Sequence, residues 1–337
     1  MPIPEPLRDY AASLGFAGSE TLARIFEILY DGEHDVKLVA ALPGTAKEVA
    51  GKTGLPEEFV SKALRRLLLK GALIVSFKDL AVFRRFPAMI ELRDSSVVAE
   101  DTPPELLRLW EKLVTQESKP FIAMLNQRQI APMVRVIPIE RSVEAANRVL
   151  DIDSARKIFQ DAGLITAMPC VCRKVAKANG RGQDCPAPAS AVCLQTNFFA
   201  AGVQARGLGE KLTTAEALRR IGAAEDAGLV HMVRNNVKKD MFMCNCCSCC
   251  CTGLYFLQEL GLQASVAPSR FRVKLDQNRC SSCGVCEDRC QFHAIAMNEF
   301  PEIELSKCFG CGNCVITCPE QALVLEEIRP ENFIRVK

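Results

Sequence analysis

Eighteen of the 337 residues are cysteine, and every one lies at or beyond Cys170. The tightest constraint among them is a duplicated spacing: Cys280-x2-Cys283-x2-Cys286-x3-Cys290, then, after 17 residues, Cys308-x2-Cys311-x2-Cys314-x3-Cys318-Pro319. Cysteines at i, i+3 and i+6 in a tight loop aim three thiols at one point. Gly284, Gly310 and Gly312 supply the backbone freedom and close amide approach that such loops need. A secreted disulfide scaffold would be shorter and would spread its cysteines through its core elements. Zinc favours two CxxC pairs, so interlocked triples with a distant fourth cysteine suit it poorly. The pattern predicts a fold organised around metal in a reducing compartment.

Over residues 272–328 this spacing resembles the bacterial ferredoxins. The resemblance implies two [4Fe-4S] clusters held crosswise, one by Cys280, Cys283, Cys286 and Cys318, the other by Cys308, Cys311, Cys314 and Cys290. It also implies an apolar jacket of Val285, Val315, Ala294, Ile295, Ala322 and Leu323 that keeps water from the clusters. Gln291 stands where the family usually has proline after the last cysteine of the first copy. That departure bears on loop stiffness and local hydrogen bonding, not on the ligand set. Two adjacent clusters in one small fold imply electron transfer.

Ten cysteines lie upstream of this pair. Cys170, Cys172, Cys185 and Cys193 are spread over one stretch, and Cys244, Cys246, Cys247, Cys249, Cys250 and Cys251 are packed into Cys-Asn-Cys-Cys-Ser-Cys-Cys-Cys. Six thiols in eight residues would be an oxidation liability unless metal held them. Adjacent cysteines point in different directions, so the run can serve two centres, and the apolar helix expected after Cys251 would favour negative charge at its start. Cys170-Val-Cys172-Arg173 adds two thiols and a cation at the end of a strand. The ten suffice for one or two additional iron-sulfur clusters of the [4Fe-4S] type, with the division among them open. The Cys-x-Cys-Arg motif followed by this run is similar to a group of ferredoxin-tailed proteins from anaerobic electron-transfer systems.

The cysteine-free half reads differently. Apolar periodicity predicts helices over residues 19–30, 45–52 and 56–71, then a hairpin over 72–83 turning at Lys78 and Asp79. That order resembles a winged helix-turn-helix domain, which would dock a protein partner, form a homodimer, or lay Lys62, Arg65 and Arg66 in a DNA groove. The segment ending Gly51-Lys52-Thr53 fits a relaxed phosphate-loop pattern, but no strand precedes it and it should end a helix rather than begin one. The expected class is α+β and multidomain: a winged-helix-like domain over residues 1–95, a helical linker over 96–132, an α/β cysteine-rich iron-sulfur domain over 133–271 and a dicluster ferredoxin-like domain over 272–337.

Charge refines the function class. Residues 1–150 carry 20 basic and 20 acidic side chains, residues 151–275 carry 16 and 10, and residues 276–337 carry 6 and 10. No segment has the basic excess of a nucleic-acid-coating surface. The start, Met1-Pro-Ile-Pro-Glu-Pro, is not followed by a signal-like apolar stretch, and no apolar run is long enough for a membrane span, which together predict a cytoplasmic chain. His231 is a core histidine by preference and a metal ligand by alternative. The expectation is an electron-transfer protein or subunit passing low-potential electrons to a redox enzyme or complex, with no catalytic residues of its own. A redox-sensing DNA-binding regulator and a reductase with a substrate-binding middle cluster are the alternatives.

Overall fold

A computed structural model describes residues 2–143, 153–190, 192–236 and 242–334. The chain divides into two compact units, Met1–Ala123 with Val171–Arg181, and Met124–Cys170 with Gly182–Lys337.

The first unit is helical. Helix Glu20–Leu29 is capped by the Ser19 hydroxyl and buries Leu22, Ile25, Phe26 and Leu29. Helix Gly32–Ala40, which the periodicity did not mark, follows directly. Helix Ala46–Thr53 starts in a Thr45/Glu48 capping box and stops at Gly54, whose φ of +71° terminates it. The Lys52 ammonium donates to the carbonyls of Ala41 and Pro43, so this residue works at a helix end and not in a phosphate loop. Helix Glu57–Lys70 buries Val60, Ala63, Leu64 and Leu67, and Pro56 sits at its cap position rather than inside it. Strands β1 (Ile74–Val75) and β2 (Phe83–Arg84) then pair antiparallel. Helices Met89–Val97 and Pro104–Lys112 bring in Trp110, whose indole donates to Ser96 in the core. Helix Val171–Ala178 returns to this unit, tied by Arg181 to Glu111 at 2.6 Å and by Asn179 to the Leu107 carbonyl.

The second unit is built on a seven-stranded sheet of β3 (Val134–Val136), β4 (Ile165–Met168), β5 (Cys193–Thr196), β6 (Glu210–Leu212), β7 (Val230–Arg234), β8 (Phe242–Cys246) and β9 (Val266–Ala267). Their order is β6-β4-β5-β8-β7-β3-β9. Only β3 with β9 is parallel; every other pairing is antiparallel. The middle segment expected as α/β is therefore a mainly antiparallel sheet, because short strands joined by hairpins and single helices do not set up repeated parallel crossovers. On one face Phe159, Ile221 and Ala217 from helices Ala155–Gln160 and Thr214–Asp226 pack on Ile165, Leu194, Val233 and Met243.

The opposite face of this sheet carries Val136, Val230, Met232 and Cys246, and it is covered by Phe292 and Ala294 of the cysteine-repeat segment. That segment contributes β10 (Phe271–Leu275) paired with β13 (Leu323–Glu327), and β11 (Ile295–Met297) paired with β12 (Pro301–Ile303). Sheet and repeat belong to one compact unit. A buried ion network reinforces this. Asp153, fully buried, binds Arg135 of β3 at 2.6 Å and Arg270 at 2.7 Å, and Arg270 reaches Glu327 of β13 at 2.6 Å. Removing one member of a buried network leaves an uncompensated charge. Asp153→Asn is expected to lower unfolding free energy by about 3–5 kcal/mol, whereas Lys62→Ala, which breaks an exposed pair with Glu58, costs under about 1 kcal/mol. Denaturant unfolding followed by circular dichroism measures both, and equal losses would contradict the role given to Asp153.

Candidate metal centres

The two repeat loops are built alike. Gly284 (φ +80°) caps the short helix Val285–Asp288, and Gly312 (φ +87°) caps Asn313–Thr317, so each CxxCxxC loop closes through a left-handed glycine before its third cysteine turns inward. Cys280, Cys283, Cys286 and Cys318 line one cavity of about 320 Å³. Cys290, Cys308, Cys311 and Cys314 line another of about 360 Å³. Each cavity therefore gathers three thiols from one copy and the fourth from the other. Backbone N–H groups of Ala294 and Ala322 donate to the Cys290 and Cys318 sulfurs, both at 3.3 Å, at equivalent places in the two copies. Such bonds favour the thiolate form, and four thiols around a mainly apolar cavity fit a [4Fe-4S] cluster.

Water is kept out by apolar neighbours. Ala294 and Ile295 line the larger cavity and Ala322 and Leu323 the smaller, while Val285, also at the smaller cavity, is partly open to solvent. Phe292 and Phe309 stack at 4.4 Å between centroids and wall the larger cavity. Sequence reading missed this pair, although each aromatic follows closely on a repeat cysteine. Burial pushes the Cys311 thiol up to about 12 and raises Cys286 and Cys314, with neighbouring thiols adding to the rise at all three. Groups so placed keep their protons until a cation takes their place.

The loop lining the second cavity is hydrogen-bonded to segments adjoining the sheet. The Cys311 carbonyl accepts from Ile139, and the Asn313 amide donates to Gly228, just before β7. A Cβ on Gly310 would meet the Phe271 carbonyl oxygen at 2.1 Å, and one on Gly312 would meet Ser142 at 2.3 Å. Arg289 donates to the carbonyls of Glu225 and Asp226 at the end of helix Thr214–Asp226, where a cation offsets the helix dipole.

Strand alternation places the upstream thiols. In β8, Met243 packs against the helix-covered face, while Cys244 and Cys246 turn to the face that meets Phe292 and Ala294. Cys246 is held well above the usual thiol range by hydrogen bonding with Cys244 and Cys251 and by burial. Beyond the strand the chain turns, and the sulfurs of Cys247, Cys249 and Cys250 join Cys185, all within 4.8 Å of one another. Burial, with Cys247 beside it, pushes Cys249 up to about 12; hydrogen bonding with Cys247, together with burial, raises Cys250 further. The run thus splits into two groups, Cys244, Cys246 and Cys251 in one, and Cys247, Cys249 and Cys250 with Cys185 in the other. Spacing alone gave no such division.

Gln291 joins this run to the repeat. Its side-chain oxygen accepts from the backbone N–H of Ser248 at 2.8 Å and from the Ser248 hydroxyl at 3.0 Å, and its carbonyl accepts from Gln258 at 2.7 Å.

The remaining thiols lie elsewhere. Cys170 follows β4 in the second unit, whereas Cys172 belongs to the first, where the buried Arg93 guanidinium donates to its sulfur at 3.0 Å. Cys193 opens β5 opposite Met168 and accepts from Gln195. His231 is buried between Asn245 at 2.5 Å and Glu225 at 3.4 Å, a core position.

Two family models, each described as a 4Fe-4S binding domain, match residues 273–296 and 300–323. Comparison with curated proteins and with solved structures gives no match. Among the described residues no helix is long and apolar enough to cross a membrane. Residues 273–323 carry two ferredoxin-type 4Fe-4S domains, and the chain has an iron-sulfur electron-transfer role.

Proposed function

We propose that this chain is a cytoplasmic electron-transfer protein or subunit that passes low-potential electrons between a redox enzyme or complex and the two centres of residues 273–323, with at least one further metal centre formed by the upstream thiols. The observation that carries the reading is the pair of cavities, each with four cysteines drawn crosswise from the two copies. When bound, [4Fe-4S] clusters supply one-electron chemistry at potentials set by burial and by hydrogen bonds to sulfur. The chain's own residues hold those conditions. Phe292, Phe309, Ile295 and Leu323 exclude water, the amides of Ala294 and Ala322 stabilise thiolate, and a shared core containing Cys286, Cys314, Val273 and Leu325 lies between the cavities. An acidic balance over residues 276–337 suits docking to a basic surface on a partner.

The helices and hairpin of residues 20–84 follow the order of a winged helix, and docking a protein partner or a second copy is the use we assign to them. One of the three basic side chains available for DNA is tied to a buried carboxylate, and a second forms a surface pair. Arg66 binds the buried Asp35 carboxylate at 2.6 and 2.7 Å, and Lys62 pairs with Glu58 at 2.7 Å. A groove-reading helix needs such groups for phosphate and bases, so the regulator reading has little support. Specific, salt-dependent DNA binding would restore it.

Anaerobically purified protein is expected to carry about eight irons and eight acid-labile sulfides in the C-terminal segment, with paramagnetic signals developing on stepwise reduction. Cys318→Ser and Cys290→Ser are each expected to disturb a different signal; loss of the same signal from both would refute the crosswise division. Gly310→Ala is expected to lose about four irons and keep about four, because the added methyl group meets the rigid Phe271 backbone beside Cys311. Retention of all iron in that variant would show the loop to be less confined than described.

A further inference from the structure

The four sulfurs of Cys185, Cys247, Cys249 and Cys250 lie within 4.8 Å of one another, with Cys185 and Cys247 at 3.4 Å and Cys249 and Cys250 at 3.6 Å. Four thiolates bound to one ion through bonds of about 2.3 Å stand at the corners of a tetrahedron with edges of about 3.8 Å. A four-iron cluster keeps its thiolates much farther apart, since each is bound to a different iron and points away from the centre. The same chain offers the comparison. Among the described residues, this is the only group of three or more potential ligands gathered so tightly, and the eight repeat cysteines are not. Those eight stand instead around cavities of about 320 and 360 Å³.

The loop that delivers Cys185 fits a small, closed site. Gly182 has φ +59°, its carbonyl accepts from the Cys185 N–H, and a Cβ there would lie 2.2 Å from the Cys250 sulfur. Backbone and sulfur approach too closely to admit even a methyl group. Cys247 and Cys250 are buried, while Cys185 and Cys249 are half-buried, so the group closes over on one side and opens towards an entry path on the other.

We propose that Cys185, Cys247, Cys249 and Cys250 bind a single tetrahedrally coordinated thiophilic ion, zinc or iron, and not a further iron-sulfur cluster. The inference deepens the upstream centre proposed above and rests on that reading. It replaces the sequence expectation of a [4Fe-4S] cluster at these four residues with a closed tetrathiolate site, the arrangement that zinc and mononuclear iron share. Loading such a site releases the thiol protons, and no electron need be exchanged.

The test is metal and sulfide analysis of the full chain purified anaerobically, alongside Cys185→Ser and Gly182→Ala. The expected result is one ion beyond the C-terminal complement of about eight irons and eight sulfides. That ion is either one zinc or a ninth iron without matching sulfide, the latter marked by ferric-thiolate absorption on oxidation. Both variants are expected to lose at least tenfold in occupancy of that ion while keeping the eight irons and eight sulfides, which also shows that they fold. About four further irons with four matching sulfides lost together in Cys185→Ser, an absent extra ion, or an extra ion retained by both variants would overturn the proposal. A shortfall in the eight irons of wild type would count against the ferredoxin-type reading and leave the ion count at Cys185 to be judged separately.

Discussion

Crowded thiols need a cation, and most of the second unit follows from that requirement. A thiol buried beside other thiols cannot ionise cheaply, as the upward shifts at Cys246, Cys249, Cys250, Cys311 and Cys314 indicate. Ionised without a counter-charge, neighbouring sulfurs repel one another in a medium that screens poorly. A metal reverses this logic, because each thiolate then gains a bond and the site becomes a source of folding free energy. The glycines at 182, 284, 310 and 312 all have positive φ; at 182 a Cβ would collide with the Cys250 sulfur, and at 310 and 312 with neighbouring protein atoms, so close packing around the thiols depends on their lacking one.

The sheet turns that chemistry into position. Alternation along β8 sends Cys244 and Cys246 to one face and Met243 to the other, so one strand contributes both to the helix-packed core and to the thiol-bearing face. The ferredoxin-type segment completes this face with Phe292 and Ala294, and the buried network of Asp153, Arg135, Arg270 and Glu327 pins it there. A network of this kind is poor evidence for net stability, but a slip of any member would leave a buried charge unpaired.

The eight repeat cysteines were legible from spacing because the ligand geometry is local: three of every four lie within seven consecutive residues. The helices at 20–29, 46–53 and 57–70 were legible for the same reason, with Ser19, Thr45, Gly54 and Gly71 marking their ends. Helix Gly32–Ala40 was missed because its start carries Glu33, His34 and Asp35 and shows little apolar periodicity. The grouping of the upstream thiols was not legible at all. Cys185 reaches Cys247 across 62 positions, and Cys172 is drawn into the other unit by the packing of helix Val171–Ala178; neither leaves a trace in local pattern. The same holds for the sheet order, in which β5 lies beside β8 and β3 beside β9.

The departure at Gln291 shows what a motif comparison leaves unexplained until neighbours are known. Proline there would keep the carbonyl that Gln258 uses but would remove the amide oxygen that receives both the N–H and the hydroxyl of Ser248. Each such bond contributes about 0.5–1.5 kcal/mol, enough to hold a loop but not to hold a domain. Ser248 stands between Cys247 and Cys249, and Gln291 follows Cys290, so two hydrogen bonds tie the upstream thiol turn to the loop that delivers Cys290. A proline at this position would stiffen its own loop but could not tie the Cys247–Cys249 turn to the loop that delivers Cys290, which is what the Gln291 amide oxygen does.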